Sequence, residues 1–474
     1  VKEACGVFGV YARGFVLPPM VFDGLFALQH RGQESAGMAT SDGESITVVK
    51  DMGLVTSVFD DRTLASLDGH IALGHVRYST GGASTWQNAQ PVFRPVGKAG
   101  FALGHNGNLT NVSELEAEQG VLPGVLGSDS DLVAEMLATA YGDNADAEAD
   151  TDALIDALSR VLPRLKGAFS LGLIDADHLI AVRDPNGFRP LCLGRLDAHQ
   201  DSDDGGWVIA SETAALDVVG ARFVREIAPG EMLVIDENGP RSMWPFPASR
   251  VDEKLCIFEF VYFARADTRL YGNEVHAARR RMGEQLAKEW PADADLVMGV
   301  PESANPAAEG YAERSGIPFG QGLVKSAYMG RSFIEPTQQA RVNAVRRKLN
   351  PLRESVRGRR LVIVDDSIVR GTTIRHIVQM MREAGATEVH LRISSPPFRW
   401  PCFYGIDTPR REELLAARMT TEEMRQYLDA DSLAYLGLDG LLSAIDAGDA
   451  GFCSACLTGK YPTEIPVNFA TLEG

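Results

Sequence analysis

Leu361–Thr373 reads LVIVDDSIVRGTT, and the fold of the second half of the chain follows from these residues. Leu361–Val364 is an apolar run of strand length that ends abruptly in two carboxylates, Asp365 and Asp366. A small-residue loop follows, and from Thr373 the apolar positions recur at helical spacing as far as Glu383, with Gly385 as the stop. A strand that delivers acids at its carboxyl end and then turns into a helix is the ligand-binding edge of a parallel α/β sheet. The loop Ser367–Thr373, through Arg370, Gly371 and Thr372, offers backbone N–H groups and hydroxyls at a helix N-terminus, which suits a phosphate. The two carboxylates suit ribose hydroxyls or a hydrated Mg²⁺.

Outward from this run, Leu296–Val300 and Glu388–Ile393 are two more short apolar segments. With the intervening helix they make the βαβ unit of a parallel sheet. From about Arg410 to Asp446 the pattern predicts a helical tail. Before the α/β half lies Trp244–Arg250, WPFPASR, whose paired prolines mark a linker. Residues 5–250 read differently, as short strands between glycine-rich turns: Gly6–Ala12, Ile71–Arg77, Phe101–His105, Ala168–Ile174, His178–Arg183 and Trp207–Ser211. Amphipathic patterns over Pro19–His30 and Asp129–Ala140 predict helices, so this half is expected to be a layered α+β domain. Asp143–Asp152 and Asp201–Gly206 are expected to be solvated acidic loops.

Composition narrows the function. The 474 residues carry 46 basic and 64 acidic side chains, a net charge of -18, which disfavours nucleic acid or an anionic membrane as the main partner. No apolar run reaches the roughly 18–20 residues of a membrane span, and Val1–Ala4 does not open a secretory signal. Six cysteines in so long a chain point to a reducing, cytoplasmic setting with catalytic or metal-binding thiols.

Cys5 stands at the mouth of the Gly6–Ala12 strand. A cysteine at a free amino terminus is nucleophile and base in one residue, since its own amine, with pKa near 8, can take the thiol proton. That chemistry requires cleavage between Ala4 and Cys5. Arg77, in GHVRYST, has the fork geometry to grip an α-carboxylate. Asn106 and Gly107, in GHNGNL, supply a side-chain amide and a main-chain N–H for an oxyanion hole. Asp129, in SDSD, offers a carboxylate for a substrate ammonium. Together these are the needs of hydrolysing the side-chain amide of a free amino acid.

The spans CGVFGVYA, LQHRGQESAG, GHVRYST, GHNGNL and SDSD occur in the order of the landmarks of N-terminal-nucleophile glutaminase domains, and residues 5–250 resemble that family. The resemblance implies a four-layer αββα fold, a propeptide remnant at residues 1–4, Cys5 as nucleophile, Arg77 and Asp129 as glutamine ligands, and Asn106 and Gly107 as oxyanion donors. Residues 251–474 resemble type I phosphoribosyltransferases: LVIVDDSIVRGTT matches the ribosyl-phosphate signature and VPES at Val300–Ser303 the pyrophosphate loop. Lys325–Asn350, with KSAYMGRSFIEP and RRKLN, matches the mobile loop. By this resemblance Pro301, Glu302, Ser303, Lys325, Arg331, Arg341 and Arg346 serve the pyrophosphate, while Asp365 and Asp366 hold Mg²⁺.

With FEFVYFARADT at Phe258–Thr268, the combination is similar to the glutamine phosphoribosylpyrophosphate amidotransferase family of glycosyltransferases. That resemblance implies ammonia transfer from glutamine to phosphoribosyl pyrophosphate in purine biosynthesis. It also implies a closed apolar channel for the ammonia, purine nucleotides as feedback inhibitors, and a homo-oligomer, by the family a tetramer. Two positions depart from the family pattern: Ser326-Ala327 replaces the usual Asn-Arg, and Ala266 a usual proline. Cys256, Cys402, Cys453 and Cys456, the last two a CxxC pair, suit Zn²⁺ or a [4Fe–4S] cluster, and spacing alone does not choose. Some family members carry a structural [4Fe–4S] cluster in these contexts, so the resemblance favours the cluster. Cys192 is expected to be a core residue. A ligand-sensing regulator would need a basic nucleic-acid-binding segment, and a hexosamine-forming synthase a sugar-isomerase domain in place of Asp365 and Asp366; neither is present.

Overall fold

The structure is a computed structural model that describes residues 5–78, 84–122, 124–142, 152–198, 205–326, 349–406, 408, 410–448 and 450–465. The expected propeptide at residues 1–4 and the loop arginines Arg331, Arg341 and Arg346 lie outside the described residues.

Residues up to Met243 form two stacked antiparallel sheets. The seven-stranded sheet runs in the order Arg222–Glu226, Cys192–Leu196, Gly206–Ala210, Gly6–Ala12, Ile71–Arg77, Ser35–Ser41, Ile46–Met52. The six-stranded sheet runs Gly239–Met243, Met232–Asp236, Leu179–Arg183, Gly167–Ile174, Phe101–Leu109, Val92–Arg94. Strand alternation splits their apolar side chains between faces. Phe8 and Val10 face helix Leu17–Ala27, whereas Val7 and Tyr11 pack with Leu73, Ile174, Leu179 and Ile209 between the sheets. On the outer face of the second sheet, Leu103, Phe169, Leu171 and Val182 meet Leu132, Val133, Met136 and Leu137 of helix Asp129–Gly142 and Leu154 and Leu158 of helix Ala153–Val161. Three apolar layers thus lie between four structural ones, the αββα order expected.

The second half is built on a fully parallel sheet in the order Leu296–Gly299, Arg360–Asp365, Glu388–Ile393, Ser432–Tyr435. Along its second strand Leu361 and Ile363 point to helix Thr372–Glu383, with Ile374, Ile377, Val378 and Met381. Val362 and Val364 point to the opposite face, with helices Val275–Glu289 and Asn305–Ser315. Burial on both faces is why this strand reads as a continuous apolar run.

The expected helical tail needs correction. Arg410–Asp446 is a series of short helices, Leu415–Arg418, Thr421–Tyr427 and Leu438–Ile445, interrupted by the strand Ser432–Tyr435 that completes the sheet. The strand is four residues long and lacks β-branched side chains, so period and propensity gave it no signal.

The two halves interlock. Phe188 and Tyr404 stack with ring centroids 4.2 Å apart, and Asn108 Nδ2 donates to the Phe403 carbonyl at 2.9 Å. Among the described residues no helix is long and apolar enough to cross a membrane.

Candidate active site

Cys5 precedes a central strand of the first sheet, and the register that pairs Gly6 with Val76 places it beside the end of strand Ile71–Arg77. Its Sγ lies 3.5 Å from the Tyr78 carbonyl, and the residue is buried. Burial pushes the thiol pKa above its ordinary value, against the pull of the nearby Arg77 and Arg31 guanidinium groups, while the Asp129 carboxylate raises it further. A thiol held protonated in this way needs a base at hand before it can attack.

Arg77 is buried, 4.0 Å from Glu34 at the nearest approach of their charged atoms. Asp129 opens helix Asp129–Gly142; its Oδ2 accepts the Leu109 N–H at 3.1 Å and its Oδ1 the Ser130 N–H at 2.8 Å. Burial works to raise its pKa, but His105, whose Nδ1 is 3.6 Å from Oδ1, and these N–H donors hold it below the usual carboxylate range. Asp129 is therefore an anion in the site at neutral pH.

Asn106 and Gly107 belong to a strand. The ladder expected to stop at His105 continues to Leu109, pairing Asn106 with Ser170 and Gly107 with Phe169. A Cβ at Gly107 would come within 2.0 Å of the Ala168 carbonyl oxygen, so the position requires glycine. The Asn106 amide is fully buried, and among the described residues neither its oxygen nor its nitrogen has a hydrogen-bond partner. An orphaned buried amide costs stability, and such exceptions in a folded protein call for an explanation. A waiting donor for a substrate oxyanion is one.

A cleft of about 810 Å³ opens at the carboxyl edge of the parallel sheet. It is lined by Pro301, Glu302, Ser303, Lys325 and Ser326, by the whole run Asp365–Ile374, and from the first half of the chain by His30 and Gln33. Asp366 accepts from Ser303 Oγ at 2.6 Å and from Ser367 Oγ at 2.7 Å. Burial and the adjacent Asp366 charge raise the pKa of Asp365 well above its ordinary value. Two buried acids that resist sharing negative charge form a donor set that a dication would relieve. Gly371, at φ 75°, makes the left-handed turn into helix Thr372–Glu383 and exposes that helix's first N–H groups to the cleft. Arg370 lines the cleft, but its guanidinium is held by Glu413 at 2.5 Å. Lys325 Nζ lies 3.3 Å from Glu302.

Cys256 and Cys402 meet the Cys453–Cys456 pair in the fold. Cys256 and Cys453 are register partners in a short parallel ladder, and Cys402 and Cys456 adjoin them. All four thiols are free. Burial pushes Cys256 up to about 12, and burial with the neighbouring thiols raises Cys453 and Cys456. The described side chains do not, however, form a ready-made metal group of three or more ligands.

Sequence reasoning gave no role to the charged cluster between the halves. His30 and Arg31 meet Glu212, Glu259 and Arg189 there, all but His30 buried. LQHRGQESAG and FEFVYFARADT were landmarks, but nothing in their spacing says that Arg31 and Glu259 touch.

Fold and geometry together define a glutamine-dependent phosphoribosyltransferase, an amide-hydrolysing half joined to a half that binds an activated ribose phosphate. The model of the glutamine amidotransferase domain matches residues 75–218, and that of the phosphoribosyl transferase domain residues 272–394. The chain is 51% identical to the amidophosphoribosyltransferase of Mycobacterium tuberculosis, over 98% of this chain and 87% of that one. It is 46% identical to that of Archaeoglobus fulgidus, over 98% of both. The solved glutamine phosphoribosylpyrophosphate amidotransferase of Bacillus subtilis, complexed with ADP and GMP, superposes with a TM-score of 0.87 at 44% identity, over 98% of each chain. The chain belongs to the amidophosphoribosyltransferase family, enzymes of purine biosynthesis.

Proposed function

We propose that Cys5 hydrolyses glutamine and that the ammonia displaces pyrophosphate from phosphoribosyl pyrophosphate in the Asp365–Thr373 cleft. The orphaned Asn106 amide carries the first half of this reading. Arg77 takes the glutamine α-carboxylate and Asp129 its ammonium. The amine of a processed Cys5 accepts the thiol proton, and sulfur adds to the side-chain carbonyl. Asn106 and Gly107 N–H stabilise the oxyanion; the returned proton leaves with ammonia, and water cleaves the thioester.

In the cleft, the Ser367–Thr373 loop and the helix N-terminus behind it bind the ribose 5-phosphate, while Pro301–Ser303, Lys325 and Arg331 meet the pyrophosphate. Asp365 and Asp366 would hold Mg²⁺, which supplies charge neutralisation for the departing pyrophosphate. Neutral ammonia attacks the anomeric carbon as positive charge builds there. Glutamine-dependent turnover should vanish in Cys5→Ser while ammonia-dependent turnover persists, and Asp366→Asn should lower both. Loss of both in Cys5→Ser would refute the division of labour.

Cys256, Cys402, Cys453 and Cys456 would hold a [4Fe–4S] cluster, with Zn²⁺ the alternative; the gathering of three buried thiols and the half-buried Cys402 supports a bound cationic centre. Purified protein should be brown, and a colourless protein with stoichiometric zinc would reverse the assignment. Purine nucleotides are the proposed inhibitors, in keeping with the ADP and GMP bound by the Bacillus subtilis enzyme. The proposed assembly, by family likeness, is a homotetramer acting in the cytoplasm.

A further inference from the structure

The Arg31 guanidinium is committed inside the protein on three sides. Its Nε donates to the main-chain oxygen of Cys5 at 3.1 Å, and Nη1 to Glu212 at 2.5 Å. Nη1 and Nη2 reach the two oxygens of Glu259 at 2.9 and 2.8 Å, a bidentate pair across 228 residues of sequence. Arg189 Nη1 donates to the same carboxylate at 3.1 Å, so two arginines and two glutamates share one site, none more than 1% exposed.

Glu259 begins the π-helical turn Glu259–Phe263 of the second half. That turn is itself held, since Arg279 donates to the Phe260 carbonyl at 2.8 Å and the Ala264 carbonyl at 2.9 Å. Glu259 is therefore a fixed point, and Arg31 is the strut between it and the residue that carries the thiol.

As glue between two halves, such a cluster is a poor choice. Apolar residues of similar volume hold a buried interface as well or better, because ions lose their hydration. What apolar residues cannot do is donate to the peptide oxygen of Cys5 from a fixed direction. We propose that Glu259 is a positioning residue for the nucleophile. It orients Arg31, which fixes the Cys5 main chain and with it the angle between thiol, amine and the glutamine carbonyl. The inference rests on Cys5 as the nucleophile.

The test is Glu259→Gln in the full chain, which keeps the shape and removes the charge that locks Arg31. The turnover number with glutamine should fall about 100-fold, the effect of roughly an ångström of misplacement. The KM for glutamine should stay within about twofold, because its ligands Arg77 and Asp129 are untouched, and ammonia-dependent pyrophosphate release should be unchanged. Unaltered turnover with glutamine, or a rise in KM alone, overturns the proposal. If Glu259→Gln does not accumulate as folded protein, Arg31→Lys tests the same contact. It keeps a cation beside the carboxylates but has no N–H at the Nε position, so the same split is required, and its absence overturns the proposal. Cys5→Ser serves as the control. A silent Glu259→Gln beside an inactive Cys5→Ser defeats this inference alone, whereas a silent Cys5→Ser defeats the nucleophile assignment beneath it.

Discussion

The Asn106 amide sits fully buried, with both polar atoms unpaired among the described residues. A group in that state costs free energy in the resting protein and returns it only when a partner arrives, so its removal separates stability from catalysis. Asn106→Ala should lower turnover with glutamine between about 100- and 1000-fold. Ammonia-dependent turnover should be spared, and the thermal midpoint should fall less than the lost volume alone implies. Equal loss of both activities would contradict the oxyanion role. His75, just before the other wall of the site, gives a pH prediction. Burial holds its pKa down to about 3, so the native ring stays neutral while the unfolded ring binds a proton below its ordinary value of 6.5. Stability contributed by this group therefore rises with pH between about 3 and 6.5, by up to about 1.4 kcal/mol per pH unit. Asp184, raised to about 6 by burial, acts in the opposite sense, losing its contribution as pH rises through 6. The comparison is thus best made by difference: His75→Asn should flatten the acid limb of denaturant-derived stability relative to the parent, and a parallel limb would contradict the burial argument.

At the scale of elements, the acceptor cleft depends on one turn. Gly371 enters helix Thr372–Glu383 at φ 75°, and a Cβ there would lie 2.6 Å from Leu415. Gly371→Ala should cost about 1–2 kcal/mol for the left-handed backbone. It should also raise the KM for phosphoribosyl pyrophosphate while glutamine hydrolysis measured alone is unaffected; an unchanged KM would detach the helix N-terminus from phosphate binding. Much of this was legible in the sequence, because the strand before the turn is buried on both faces and so reads as a pure apolar run. Other elements were obscure for physical reasons. Asn106-Gly107 looks like a turn, yet pairing with strand Gly167–Ile174 carries the ladder through it to Leu109. Ser432–Tyr435 becomes a strand only because an open sheet edge at Glu388–Ile393 accepts it.

The whole molecule places one chemistry in each half and joins them through buried charge. Cys5, Arg77, Asp129, Asp365 and Asp366 each stand in a local motif that suggests its own chemistry, so they are candidates from sequence alone. The Arg31–Glu212–Glu259 junction is not, since its members are 181 and 228 residues from Arg31 and only the assembled fold brings them together. The cleft wall, shared by His30 and Gln33 with Asp365–Ile374, is likewise a property of the pair of halves. This arrangement predicts that the two activities can be separated by mutation yet are stoichiometric in the intact enzyme. The most direct measurement supplies amide-labelled glutamine with phosphoribosyl pyrophosphate and follows glutamate, pyrophosphate and the label together. One pyrophosphate should appear per glutamate, with the label on the ribosylamine. Glutamate release with no pyrophosphate from either glutamine or ammonia would contradict the account.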